Sequence, residues 1–363
     1  MKIKSHIVIG MSGGVDSSVS AWLLKRLGHK VTAVFMKNWE DDEEYCTSKQ
    51  DFLDAAVIAD LIGIPLEAVS FSKEYKEKVF NDFLYEYSMG RTPNPDVFCN
   101  SEIKFKAFLD YSLTHGADYL ATGHYARIKK VEGKYNLLTA LDKTKDQTYF
   151  LHRLSQKQLS YSVFPLGDYS KGLVRQMALE LKLPNAKKPD SMGICFIGKR
   201  PFQNFLSKYI PPRPGLICTD EGLEVGTHHG LQFFTIGQRK GIGIGGLKKK
   251  FSESRIGEGN AWYVINKDFK NNRLIVVQGK NNPKLFSNSL AATNLHWIAE
   301  EAPACGSKLQ VKIRHTISTF SGTISYERDK LVLNFEVPQR AVAPGQSVVF
   351  YKGPLCIGGG IIA

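Results

Sequence analysis

The stretch His6–Val31, "HIVIGMSGGVDSSVSAWLLKRLGHKV", constrains the fold more than any other part of the chain. An apolar run, His6 to Ile9, meets a turn carrying Gly10, Gly13 and Gly14. A helical pattern follows, with Val15, Val19, Trp22, Leu23 and Leu27 spaced for one face, and Gly28 stands where a helix C-cap belongs. The alternation continues. Lys30–Met36 and Leu66–Phe71 read as strands, Thr47–Leu61, Lys73–Met89 and Ser101–His115 as helices, and Asp118–Thr122 as a further strand. Such alternation predicts an α/β fold, a mainly parallel sheet with helices on both faces. Ligands of these sheets sit beyond the carboxyl ends of the strands, so the glycine turn is expected beside Met36, Gly123 and His124.

The turn excludes two phosphate motifs. Val15 and Asp16 stand where a G-x-x-x-x-G-K-[ST] loop needs its last glycine and lysine, and Gly10-Met11-Ser12 breaks G-x-G-x-x-G. Gly10-Met11-Ser12-Gly13-Gly14 does fit the G-x-S-x-G nucleophile elbow. The same residues with Val15, Asp16 and Ser17 spell Ser-Gly-Gly-x-Asp-Ser, which resembles the pyrophosphate loop of the ATP-pyrophosphatases. The physics suits a phosphate: glycines bring backbone N–H groups close to oxygens, and a helix start adds its positive end. A ligand-free tight turn is the plain alternative.

After about Ser207 the texture changes. "YIPPRPG" marks a linker, and from about Asn282 short apolar alternations predict an all-β barrel. Three domains are expected, at 1–206, 207–281 and 282–363. No apolar run reaches membrane-spanning length, and a soluble cytoplasmic enzyme without a membrane partner is expected. The formal net charge of +13 points to a polyanionic partner. Basic residues concentrate in Tyr125–Arg153 and in Gln238–Arg255, the latter laced with glycines as a phosphate backbone would favour. "EDDEE" at 40–44 runs the other way and reads as a solvated loop.

The six cysteines include no C-x-x-C, which argues against a zinc or iron–sulfur frame. Two of them stand out. In "RTPNPDVFCNSEIKF", Pro93 and Pro95 fix a loop, and Cys99 is expected just before a helix capped by Asn100 or Ser101, where the dipole favours thiolate. Asp96, on the same loop, is a candidate acid or base, or a turn residue. In "KKPDSMGICFIGKR", Cys195 lies between glycines with cations on both sides.

These stretches, with "GMSGGVDSS", "ATGHYAR", "KDQTYFL" and "TIGQRKG", resemble the tRNA-specific 2-thiouridylases from about residue 5 to the C-terminus. The resemblance implies an adenine nucleotide alpha hydrolase-like fold followed by a small tRNA-contacting domain and a β-barrel. It also implies ATP, with magnesium, adenylating the C2 oxygen of the wobble uridine of tRNA, and sulfur carried as a persulfide on Cys195. Cys99 is the implied nucleophile, either releasing sulfur from that persulfide or resolving it after transfer, with a transient Cys99–Cys195 disulfide. By the same resemblance, Gly10, Met11, Ser12, Gly13, Gly14, Val15, Asp16, Ser17, Met36 and Gly123 line ATP. Asn94, Pro95 and Asp96 face the target base, and His124, Lys145, Asp146, Gln147, Arg314, His315 and Gln346 contact tRNA. A persulfide-donating sulfur carrier or cysteine desulfurase is the implied partner.

Two other classes compete. A Ser12 hydrolase would carry its elbow after several strands rather than the first. A passive RNA-binding protein would leave both cysteine loops without a role.

Overall fold

The computed structural model describes residues 4–39, 48–190, 202–244 and 260–363. Cys195, Cys46, the 40–44 acidic run and Lys248–Lys250 lie outside them. Five parallel strands form the first sheet: β1 (His6–Gly10), β2 (Lys30–Lys37), β3 (Leu66–Ser70), β4 (Tyr119–Ala121) and, after an excursion described below, β7 (Ser162–Val163). Their order is β3-β2-β1-β4-β7. The chain leaves β1 toward β2 on one side while β4 lies on the other, so the crevice of a doubly wound sheet opens at the end of β1.

Helices α1 (Val15–Arg26) and α2 (Ser48–Ile62) follow β1 and β2. Next come α3 (Ser72–Tyr75), a π-helical segment Lys76–Phe80 and α4 (Asn81–Ser88) as one run. A second run joins α5 (Pro95–Phe98), a π-helical segment Cys99–Ala107 and α6 (Phe108–Thr114). The buried side of α1 differs from the expected stripe. It carries Ser17, Ser18, Ser20, Ala21 and Leu24 beside Val15 and Val19, while Leu27 is 66% exposed. Small residues face inward because α1 packs closely against α2 and α9 (Lys171–Glu180). Gly28 does end the helix, with φ +84°.

Between β4 and β7 the chain forms a hairpin, β5 (Ala126–Val131) and β6 (Lys134–Thr139), then α7 (Thr148–Leu151) and α8 (Gln156–Ser160). The basic stretch Tyr125–Arg153 is therefore largely built structure. After α9 come α10 (Phe202–Ser207) and a four-stranded sheet of β8 (Gly215–Thr219), β9 (Glu224–His228), β10 (Trp262–Asp268) and β11 (Arg273–Gln278).

The C-terminal barrel closes through antiparallel β12 (Phe286–Trp297), β13 (Lys308–Lys312), β14 (Phe320–Glu327), β15 (Lys330–Arg340), β16 (Ser347–Lys352) and β17 (Leu355–Ile362). β12 pairs with both β15 and β17. Leu290, Val311, Ile324, Leu333, Val348 and Phe350 belong to its core. β6 pairs with the start of β17, Leu138 opposite Leu355, so the hairpin of the first domain extends the barrel's sheet. A buried ion pair strengthens that seam: Lys312 Nζ lies 3.1 Å from Asp146, at side-chain exposures of 4% and 2%.

Candidate active site

The glycine turn leaves β1 as expected. Gly14 is the N-cap of α1, and helix geometry leaves the N–H groups of Val15, Asp16 and Ser17 without an intrahelical acceptor. Gly13 has φ +71°, and a Cβ there would lie 2.5 Å from the Asp51 carbonyl oxygen. Only glycine suits both conditions. The Ser17 hydroxyl donates to the Gly14 carbonyl at 3.0 Å, and the Ser12 and Ser17 hydroxyls lie 3.2 Å apart. Met36 reaches over Gly10, with Cε 3.3 Å from where a Cβ would stand. Gly123, after β4, packs so tightly that its Cβ would lie 2.9 Å from Asp16 C and Ser17 N. The residues expected at one rim are thus together.

The turn has no lysine of its own, but two arrive from elsewhere, a feature that no motif marks. Lys171, first residue of α9, places Nζ at 2.7 and 2.8 Å from the two Asp16 oxygens and 2.8 Å from Asp190. Lys188 Nζ reaches Asp51 at 2.8 Å and Asp54 at 2.7 Å. The Asn185 amide donates to the Gly13 carbonyl at 3.0 Å, and its own Oδ1 is buried without a partner among the described residues. That orphaned acceptor beside a turn rich in N–H groups marks a polar cradle. Asp190 is drawn upward by burial, but hydrogen bonds from Lys145 and Lys171 outweigh this and hold it at about 2.

The second loop, Arg91–Asn94, departs from expectation at its end. The helix begins at Pro95 with Asn94 as N-cap, rather than at Asn100 or Ser101. Proline at N1 explains this, since its missing N–H is one that a helix start leaves unused. Cys99 therefore lies a full turn inside the helix, buried at 1% exposure, and Asp96 takes the first-turn position. The dipole reason for a thiolate at Cys99 falls away, because that field decays within the first turn.

Burial raises the carboxyl pKa of Asp96, with Lys104 pulling against it. Lys104 also lowers His124, whose pKa burial already drives well below the usual value. His124 is neutral, shares a 2.7 Å hydrogen bond with Thr122 Oγ1 and packs against Phe105 and Phe164.

All three parts of the chain hold this loop. Thr92 N–H donates to the Pro344 carbonyl at 2.8 Å, and the Gln346 amide donates to the Thr92 carbonyl at 2.8 Å. The Thr92 and Thr235 hydroxyls lie 3.1 Å apart, and the Phe269 ring seats on Gly90. Tyr149 donates to the Ser347 carbonyl at 2.9 Å. A cavity of about 230 Å3 adjoins the loop, lined by Pro93, Pro95, Phe98, Phe83, Glu86 and Gly345.

Of the positions expected at tRNA, the fold brings 145–147 and 314–315 together. His315 Nε2 lies 2.9 Å from the Asp146 carbonyl oxygen, and its ring packs on Phe150 at 4.7 Å. Lys145 pairs with Asp190, Gln147 accepts from Tyr125 N–H, and Arg314 donates to the Arg340 carbonyl. The Asp146 carboxylate, however, is 2% exposed and engaged by Lys312 and Thr148. It ties domains together, and its carboxylate is not presented to a polyanion. His124 is 8% exposed, and the Gln346 amide braces the Arg91–Asn94 loop.

Three family models match the chain in succession: a tRNA methyl transferase HUP domain over residues 5–199, a tRNA methyl transferase PRC-barrel domain over 203–278 and an aminomethyltransferase beta-barrel domain over 287–362. Proteins named tRNA-specific 2-thiouridylase MnmA match almost end to end. That of Cupriavidus taiwanensis is 57% identical, covering 98% of each chain. That of Ralstonia pickettii is 56% identical, covering 99% of this chain and 96% of its own. A structure titled U34-tRNA thiolase NcsA from Methanococcus maripaludis with its 4Fe-4S cluster superposes at TM-score 0.36 and 22% identity, over 57% of this chain and 65% of that one.

The fold and site define a pyrophosphate-loop α/β enzyme with two β-rich appendages. The end-to-end relatives carry the assignment further than the methyl transferase wording of the models: the chain belongs to the tRNA-specific 2-thiouridylase family, and it is a tRNA sulfurtransferase. Among the described residues no helix is long and apolar enough to cross a membrane.

Proposed function

We propose that the chain replaces the C2 oxygen of the wobble uridine of tRNA with sulfur in two stages, ATP-driven adenylation and then transfer from a persulfide. The supporting observation is the link between the two loops. Gly123 packs on the phosphate turn, and its neighbour His124 shares Lys104 with Asp96.

In the first stage, Gly10–Ser17, Met36 and Gly123 hold ATP. Asp96, made more basic by burial, takes the uracil N3 proton as O2 attacks the α-phosphorus. The O2–P bond forms, and the P–O bond to pyrophosphate breaks with its electron pair. Magnesium would enter with the triphosphate, Asp16 being the carboxylate at the turn that would hold it, and would neutralise phosphate charge there.

In the second stage, sulfur on Cys195 displaces AMP from C2. Either Cys99 attacks the persulfide and the released sulfide attacks C2, or the terminal sulfur attacks C2 and Cys99 cleaves the resulting S–S bond. Both routes end in a Cys99–Cys195 disulfide, which a two-electron thiol reductant reopens. The base is extruded into the site, at modest cost from an anticodon loop that is already single-stranded.

Domains at 1–206, 207–281 and 282–363, tRNA contacts through Lys145, Gln147, Arg314 and His315, a persulfide-donating carrier or desulfurase as partner and a cytoplasmic setting complete this reading. The test is mass analysis of nucleosides from tRNA incubated with the protein, ATP, magnesium and a persulfide donor. 2-Thiouridine, with one pyrophosphate released per thiolation, is expected. Thiolation without ATP cleavage would sink the adenylation stage.

A further inference from the structure

Asn100 lies one residue beyond Cys99 with half of its amide unused. It is 3% exposed, and its Nδ2 donates to the Phe150 carbonyl at 3.2 Å. That bond fixes the amide's orientation, yet Oδ1 is buried without a partner among the described residues. A buried carbonyl oxygen left in this state costs stability, which calls for a reason. Asp96, Asn100 and Lys104 follow one another at intervals of four along the helical run from Pro95, so they form one stripe on it. Asp96 is only partly buried and can be reached by a substrate. Lys104 acts on both Asp96 and His124. α7 packs on α5 and brings Tyr149, which burial keeps protonated, and His315, which packs on Phe150. The Lys76–Phe80 segment also packs on α5, with Lys76, Glu77 and Lys78 exposed. Lys104 is the charge that Asp96 feels among these groups. An ionised Asp96 and the Asn100 carbonyl are both acceptors and cannot bond each other. A protonated Asp96 can donate, and the unpartnered oxygen is then satisfied.

We propose that Asn100 is a positioning residue for the proton step: its Oδ1 receives the O–H of Asp96 once Asp96 has taken the uracil N3 proton. This deepens the role given to Asp96 above and rests on it. In the first stage the N3–H bond breaks and the proton moves to Asp96. The N3–H electron pair forms the second N3–C2 bond, while the C2–O2 double-bond pair makes the bond to phosphorus. The adenylated ring therefore lacks a proton that the thiolated ring must regain. Asn100 keeps that proton on Asp96, turned toward the stripe, while sulfur replaces AMP at C2. N3 then takes the proton back and Asp96 ends ionised. A hydrogen bond made only by the neutral carboxyl also strengthens Asp96 as a base, in the same direction as its burial.

The experiment follows pyrophosphate release in single turnover from about pH 5 to 8, with the full chain, ATP, magnesium and tRNA bearing a wobble uridine. In wild-type protein, release is expected to fall in acid as Asp96 takes up a proton before the base arrives. Asn100→Ala removes the acceptor and leaves neutral Asp96 less stable. Its acid limb should move down by about half to one pH unit, and its plateau should drop by about three- to tenfold, the scale of one lost hydrogen bond. Asn100→Leu, which fills the volume without an acceptor, should match it. Lost packing alone would lower the plateau and leave the limb in place, and that result in folded variants overturns the role of Asn100. Asp96→Asn separates the two readings. Release at the wild-type rate in Asp96→Asn sinks the role of Asp96 itself, whereas an inactive Asp96→Asn beside an unmoved limb in Asn100→Ala sinks that of Asn100 alone. Should both Asn100 variants fail to fold, a structure of the wild-type protein at about pH 5 decides. Oδ1 within about 3.2 Å of an Asp96 carboxyl oxygen supports the role, and a longer separation ends it.

Discussion

The phosphate turn and the base loop are held in opposite ways. The turn at Gly10–Ser17 belongs to one domain and is fixed by charges: Lys171 on Asp16, Lys188 on Asp51 and Asp54, Asp190 among three cations. The loop at Arg91–Asn94 carries one ion pair, Arg91 on Glu86, and is joined to the central sheet and the barrel by neutral hydrogen bonds with Thr235, Pro344 and Gln346. A charged ligand competes directly for ion pairs, whereas it has little purchase on amide and hydroxyl contacts. The first arrangement suits a site that rearranges around a polyphosphate. The second suits a site whose shape depends on the central sheet and the barrel being in place, and that a large RNA spanning all three would stabilise.

The sharpest way to break this comparison separates the two chemistries. Cys99→Ala and Cys195→Ser should each lower thiolation by about a thousandfold or more, as loss of a nucleophile does, while tRNA-dependent pyrophosphate release stays measurable. Peptide mapping after alkylation should show a Cys99–Cys195 disulfide in wild-type protein after one turnover without reductant. Finding both thiols free in an active preparation would exclude a disulfide and leave Cys99 a packing residue.

Next in size is a pair of glycine substitutions, one per region. Gly13→Ala forces a methyl to 2.5 Å from the Asp51 carbonyl oxygen at φ +71°. Strain of about 1–3 kcal/mol should weaken binding of a non-cleavable ATP analogue by about ten- to a hundredfold. Gly345→Ala, at φ +92°, brings a methyl to 2.8 Å from Thr92 N. It should lower kcat/KM for tRNA by about tenfold and leave analogue affinity alone, if strain there moves only the base loop. Calorimetry and single-turnover thiolation read the two effects. Equal damage to both readouts from either variant would show that the loops move as one.

The sequence carried the phosphate turn better than the base loop, for a physical reason. A strand, a glycine turn and a helix are neighbours in the chain, so His6–Gly28 announces its own geometry. Met36 and Gly123 followed from the rule for sheet edges. The braces of Thr92 come from residues about 140 to 250 positions away, and no local pattern carries them. Lys171 was missed because a lysine at a helix start is unremarkable until Asp16 is seen beside it. The Cys99 helix start was misplaced because Asn100 and Ser101 look like caps, whereas Asn94-Pro95 is the cap that operates. Nothing local marks the β5–β6 hairpin inside the basic stretch Tyr125–Arg153, because the strand it joins, β17, lies more than 200 residues on.

The smallest expected effect concerns acid and falls on the base-loop side. Burial lowers His152 to about 3 and His124 well below its usual value. His124 stands between Phe105 and Phe164 beside the active site, and His152 lies against Gly359 of the barrel with Nδ1 2.8 Å from the Tyr149 carbonyl oxygen. Both stay neutral in the folded protein while the unfolded chain takes up protons below about pH 6.5. The unfolded state therefore binds more protons in mild acid, and stability falls with pH between about 6.5 and 3. The slope is about 1.4 kcal/mol per pH unit for each histidine once its unfolded form is charged. On the phosphate side, Asp190 is held at about 2, so its contribution persists above the unfolded carboxyl value and is lost only as pH falls from about 4 through 2. Urea unfolding at pH 7, 6 and 5 should show stability falling with acid in wild-type protein. His152→Asn, which keeps a donor for Tyr149 but cannot take up a proton, should remove about one proton from that dependence. An unchanged slope in that variant would mean that His152 is protonated in the folded state, and that the barrel side is no more acid-sensitive than the phosphate turn.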